Sequence, residues 1–129
     1  MKKRVLCLLA EGVEELELVA PVDVLRRAGS EVVLSLLGED PYIKGRNGMM
    51  LRGDRPLNGL AMEDFDLLLI PGGAAVDIFR SDGRPSELAK KFFGAGKTVA
   101  AICAGPLVLQ DAGLLEGRRF TAHAAVATQ

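Results

Sequence analysis

Cys103 stands between an apolar run, Thr98 to Ile102, and two small residues, Ala104 and Gly105, after which Pro106 opens a helical pattern over Leu107 to Ala112. A thiol on such a strand-to-helix turn is held forward, and its small neighbours leave room for a substrate and for the tight turn itself. A helix N-terminus favours the thiolate through its dipole and unpaired N–H groups, bringing a cysteine pKa from about 8.5 to below about 7.5. The expectation is therefore a reactive thiolate at Cys103. The N–H of Ala104, with that of Gly72 or Gly73, would stabilise the oxyanion formed by attack on a carbonyl. His123, the single histidine, follows Arg119 to Ala122, and Glu14, Glu15 and Glu17 follow the first apolar run.

Each of these residues has an ordinary explanation when taken singly. Free cysteine packs as a small hydrophobe, carboxylates favour helix starts, paired glycines make turns, and a lone histidine is commonly structural. Cys7 lies inside an apolar run and reads as inert packing. The remaining groups share one property: they fall at the carboxyl ends of predicted strands, where open α/β sheets bind ligands. Cys103 and His123 are thereby expected in one cleft.

The elements that must position them follow from hydrophobic pattern. Val5 to Ala10 and Phe65 to Ile70 are apolar runs without alternation, as in parallel strands covered on both faces. Leu16, Val19, Ala20 and Val24 recur at helical spacing up to Arg27, with Gly29 as the stop. Pro21 within that stretch predicts a kink or a second segment, because proline removes a helix hydrogen bond. Glu31 to Leu37 is a second strand, so the opening is a right-handed βαβ unit. Gly38 to Leu60 reads as a loop or small hairpin around Met49-Met50-Leu51, and Ser86 to Phe93 as a helix after Pro85. No repeat or linker supports a second domain.

At 129 residues, with 49% hydrophobic and 26% charged residues, the chain suits one folded domain. Sixteen basic against seventeen acidic side chains, interspersed, argue against a nucleic-acid partner. Met1-Lys2-Lys3-Arg4 before six apolar residues is too short for a signal peptide, and acidic residues follow at once. No run reaches the roughly 18 apolar residues of a membrane span. The expectation is a cytoplasmic protein with no membrane partner. Cys7 and Cys103 fit neither a metal-ligand spacing nor a disulfide framework. The glycine patterns of dinucleotide and phosphate loops are missing, so neither cofactor nor metal is expected.

Four blocks together resemble the ThiJ/PfpI family, in particular the branch of the Parkinsonism-associated deglycase. They are Glu14-Glu15-Leu16-Glu17 with Pro21 to Gly29, Leu69-Ile70-Pro71-Gly72-Gly73, Ala100 to Pro106, and Thr121-Ala122-His123. The resemblance implies a flavodoxin-like, doubly wound, mostly parallel sheet with helices on both faces, and a homodimer. It also implies that Glu17, in protonated form, hydrogen-bonds the Cys103 sulfur, and that His123 is a cleft proton shuttle. Activities implied are cofactor-independent conversion of 2-oxoaldehydes or removal of early glycation adducts, with a redox-sensing or chaperone-like role of Cys103, or cysteine peptidase activity, as alternatives. Family members usually continue for several dozen residues beyond the histidine. A longer protein, or a companion C-terminal fragment, that covers the sheet is accordingly expected. A glutamine amidotransferase would need a downstream His-x-Glu pair, which is missing here.

Overall fold

The structure, a computed structural model, describes residues 2–127; Met1, Thr128 and Gln129 lie outside them. Seven strands and four helices follow in the order β1 (Arg4–Leu9), α1 (Glu15–Arg27), β2 (Glu31–Leu36), β3 (Tyr42–Lys44), β4 (Met50–Arg52), β5 (Arg55–Pro56), β6 (Leu67–Ile70), α2 (Ala75–Asp82), α3 (Arg84–Gly94), β7 (Thr98–Ala101) and α4 (Pro106–Asp111). The main sheet is parallel throughout, in the order β5-β2-β1-β6-β7. Strand order reverses at β1, so right-handed crossovers place α1 on one face and α2 and α3 on the other. This is the expected flavodoxin-like arrangement.

β1 is central, and Leu6, Cys7, Leu8 and Leu9 are fully buried, which is why the run carries no polar alternation. Each such leucine contributes about 1.5–3 kcal/mol through removal from water. Phe65, Phe79 and Phe92 fill the core beneath α2 and α3. β3 and β4 form the small antiparallel hairpin expected between Gly38 and Leu60, and β5 adds a short edge strand to the main sheet.

Two expectations need correction, and one element was not anticipated. α1 runs unbroken through Pro21, whose only covalent consequence is a missing donor for the carbonyl of Glu17 one turn earlier. α2 went unread because it is short and enclosed by Gly73 and Gly83; Arg80 on it makes a two-pronged ion pair with Asp111 at the end of α4. Arg119 to Ala122, expected as the strand that ends at His123, is not a strand. Gly113 and Gly117 turn the chain with positive φ, and the segment returns to the sheet through one backbone bond, His123 N–H to the Cys103 carbonyl (2.9 Å), with no ladder. β7 is therefore the sheet edge among the described residues, half-buried, with Ile102 and Phe120 exposed nearby. No helix among the described residues is long and apolar enough to cross a membrane.

Candidate active site

The carboxyl ends of β1, β6 and β7 converge on Cys103. Cys103 has φ 62, the only positive value at a non-glycine among the described residues. Such a left-handed residue costs about 1–3 kcal/mol and persists where the surroundings dictate it. Here they do. Ile102 N–H is bonded to the Ile70 carbonyl (3.2 Å), Gly105 N–H closes a tight turn onto Ile102 O (2.8 Å), and the Cys103 carbonyl is taken by His123. A Cβ on Gly105 would come within 2.7 Å of Ile70 O and 2.9 Å of Ile102 O, so only glycine fits behind the turn. The helix proper begins at Pro106, with Gly105 as its cap.

Pro71-Gly72-Gly73 is the facing wall. Gly73 bridges Val13, and Glu14 N–H donates to Gly72 O (3.2 Å), which ties the end of β6 to the entry of α1. A Cβ on Gly72 would strike the Glu17 carboxyl and lie 2.8 Å from the Cys103 Cβ. The glycine pair is thus required by the close approach of three elements as well as by the turn. Gly72 N–H donates to Glu17 Oε1 (2.9 Å). Glu17 is itself oriented from below, its own N–H bonded to the carboxylate of Glu14, the N-cap of α1 (3.0 Å).

The Cys103 sulfur, partly buried, is contacted by the Glu17 carboxyl and by the N–H groups of Gly73 and Ala104. Burial, then the hydrogen bond and the charge of Glu17, push the thiol above its ordinary value of 9.0, while the Ala104 and Gly73 N–H groups pull the other way. The pre-formed thiolate expected from a helix N-terminus is thereby corrected. The helix starts three residues later, and a carboxylate stands against the sulfur. Cys7, fully buried beneath α1, is pushed up to about 12 by desolvation, which the charge of Arg26 only partly opposes.

Of the residues singled out in the sequence, Cys103, Glu17, Gly72, Gly73 and Ala104 come together. Gly72 N–H serves Glu17 and is not free for an oxyanion; Gly73 and Ala104 supply the two donors at the sulfur. His123 adjoins Cys103 through its backbone, but its side chain is exposed and Nδ1 accepts from Ala125 N–H (3.0 Å). A neutral ring so held carries its proton on Nε2. Glu15 turns away from the sulfur and is buried against residues 45–49, a contact across 32 residues that no local signal announced. A hollow of about 350 Å³ lies behind α4, lined by Pro106, Leu107, Phe120, Ala122 and Val126, apart from the sulfur. Among the described residues no group of three His, Cys, Asp or Glu is arranged to hold a metal ion.

Known proteins place this geometry in context. YraA of Bacillus subtilis, named for cysteine protease activity, is 37% identical over 98% of the chain and 75% of its own length. A protein of Pyrococcus abyssi named deglycase is 38% identical over 93% of the chain and 72% of its own length. The crystal structure of VC2308 protein superposes with a TM-score of 0.90 at 35% identity, covering 97% of this chain and 65% of that one. The chain thus spans about two thirds to three quarters of the length of these relatives. The model of the DJ-1/PfpI family matches residues 3–129, and with the cysteine turn, the Pro-Gly-Gly wall and Glu17 assembled as described, the chain belongs to the DJ-1/PfpI family.

Proposed function

We propose that the protein is a cofactor-independent cysteine enzyme acting on 2-oxoaldehydes or early glycation adducts, with Cys103 as nucleophile. The observation that carries this reading is the cysteine turn itself, Cys103 at φ 62 on the end of β7 with the Glu17 carboxyl held beside it on Gly72 N–H. As the sulfur attacks the aldehyde carbon, an S–C bond forms, Glu17 takes the thiol proton, and the carbonyl oxygen gathers charge between Gly73 and Ala104 N–H before it is protonated. Glu17, having passed the thiol proton to that oxygen, removes the C1 proton of the resulting hemithioacetal and returns it at C2, while the C1 hydroxyl proton passes to the C2 oxygen; His123 Nε2, which carries a hydrogen, does not serve as this base. The aldehyde carbon is thereby oxidised and the neighbouring ketone reduced, with no external electron carrier. Water then cleaves the thioester, releasing the hydroxy acid and restoring the thiol.

The name of the Pyrococcus relative supports a deglycase reading. A peptidase is less well supported, because Nδ1 of His123 is committed to Ala125 and no carboxylate among the described residues is bonded to the ring. The same two N–H groups, with Glu17 as donor when its carboxyl carries a proton, would also hold the oxygens of a sulfinate, which favours redox sensing as the second reading. We place a second copy of the chain on α1 and the β3–β4 hairpin, where Leu16, Val19, Val24, Met49 and Met50 are 47–72% exposed.

The test is lactate formation from methylglyoxal by the purified protein. Cys103→Ser is expected to lower it about a thousandfold or more. Lactate formation retained in Cys103→Ser contradicts the mechanism, and an inactive wild-type protein whose peroxide oxidation alters partner binding favours the redox reading.

A further inference from the structure

Glu15 is the one charged side chain among the described residues that is buried, at 5% exposure. No Lys or Arg among them forms an ion pair with it. Its carboxylate instead accepts the N–H of Asn47 (2.9 and 3.1 Å to its two oxygens), the N–H of Met49 (3.1 Å) and Asn47 Nδ2 (3.1 Å). Gly45 passes so close that a Cβ there would strike the same carboxyl. A buried carboxylate without a cation is costly unless its acceptor sites are filled. Here the turn at residues 45–49 fills them by closing around it.

The turn is bonded to the cysteine site as well. Arg46 N–H donates to Val13 O (2.8 Å), next to the Val13–Gly73 bridge, and Asn47 Nδ2 donates to Glu14 Oε1 (3.1 Å). The other Glu14 oxygen holds Glu17 N–H, and Glu14 N–H holds Gly72 O. The first turn of α1 is therefore gripped on one side by the hairpin turn and on the other by the Pro-Gly-Gly wall, with Glu17 between.

We propose that Glu15 is a positioning residue for the cysteine site: by binding the 45–49 turn, its buried carboxylate fixes the start of α1 so that the Glu17 carboxyl stays on Gly72 N–H and the Cys103 sulfur. This rests on Glu17 and Cys103 acting as a pair, but its test does not depend on turnover. The pH midpoint of Cys103 alkylation by iodoacetamide reports directly how Glu17 acts on the thiol.

The experiment compares Glu15→Gln, Glu17→Gln, the double variant, and Asp54→Asn. Asp54 is a control: its carboxylate takes Leu34 N–H (2.8 Å) and Arg26 (3.3 Å), away from the sulfur. Glu15→Gln is expected to move the alkylation midpoint down, as Glu17→Gln does, because both weaken the hold of Glu17 on the thiol proton. The double variant adds nothing to Glu17→Gln, and Asp54→Asn lowers the melting temperature without moving the midpoint. With methylglyoxal, kcat of Glu15→Gln falls about tenfold or more at a KM within about twofold of wild type. A wild-type midpoint in Glu15→Gln at reduced stability, or shifts that add in the double variant, would overturn the proposal. If Glu15→Gln does not fold, Asn47→Ala opens the same turn from the other side and must reproduce the shift. If none of the proteins turns over methylglyoxal, the enzyme reading fails while the alkylation series still decides the role of Glu15.

Discussion

The two cysteines occupy opposite chemical situations on adjoining parts of one sheet. Cys7 is sealed in the central strand with its thiol pushed up to about 12, whereas Cys103 meets solvent in part and is held above 9.0 by burial and by Glu17. Native protein should therefore alkylate at Cys103 alone, with a rate that keeps climbing as pH passes 9, and Cys7 should label only in denaturant. Peptide mass mapping across a pH series checks both statements. A rate already level below pH 8 would mean that the thiolate is formed beforehand, as the helix-terminus argument alone expects. The sequence announces Cys103 through the apolar run before it and the Ala-Gly-Pro after it. The direction of its pKa was illegible, because that depends on a carboxyl 86 positions earlier in the chain arriving at the sulfur.

At the scale of elements, the buried strands and the α1 pattern were readable because full burial removes polar alternation and helical spacing survives a proline. α2 and the grip of the 45–49 turn on Glu15 were not. A short helix between glycines has too few positions to show a period, and contacts distant in sequence leave no local mark. The same contacts set how the fold responds to acid. Burial raises the Glu15 pKa, but the N–H bonds from Met49, Asn47 and its own backbone outweigh it and hold the carboxyl below 4.5. Asp82 is held below 3.8 by its hydrogen bonds to Arg84, against a smaller opposing effect of burial. Carboxyls depressed on folding contribute stability in full above their unfolded values and lose it as pH falls through the folded ones. The melting temperature should accordingly be flat from pH 7 to about pH 5 and decline below about 4.5. In Glu15→Gln the decline should be shallower and start from a lower plateau; an unchanged acid profile would show that the turn is held by other contacts.

For the whole molecule, parallel topology brings residues from four separate stretches to one end of the sheet, and the family resemblance was legible because those stretches keep their order. The outer face of α1 and the hairpin leaves Leu16, Val19, Val24, Met49 and Met50 exposed, beside the Asp23–Arg27 pair. A two-fold axis there would make the patch self-complementary. Sedimentation should report a dimer for the wild type and a monomer for a Val19→Glu, Val24→Glu double variant that keeps its melting temperature. A wild type that sediments as a monomer would remove the second copy from this face.

The central claim is that Cys103 forms a covalent bond to the aldehyde carbon. Rapid acid quench of the protein with methylglyoxal, followed by peptide mass analysis at acid pH, where a thioester survives, reads that bond. An adduct is expected on the Cys103 peptide during turnover, none on Cys7, and none on that peptide in Cys103→Ser. Lactate formation with no adduct at Cys103 at any time would contradict the claim.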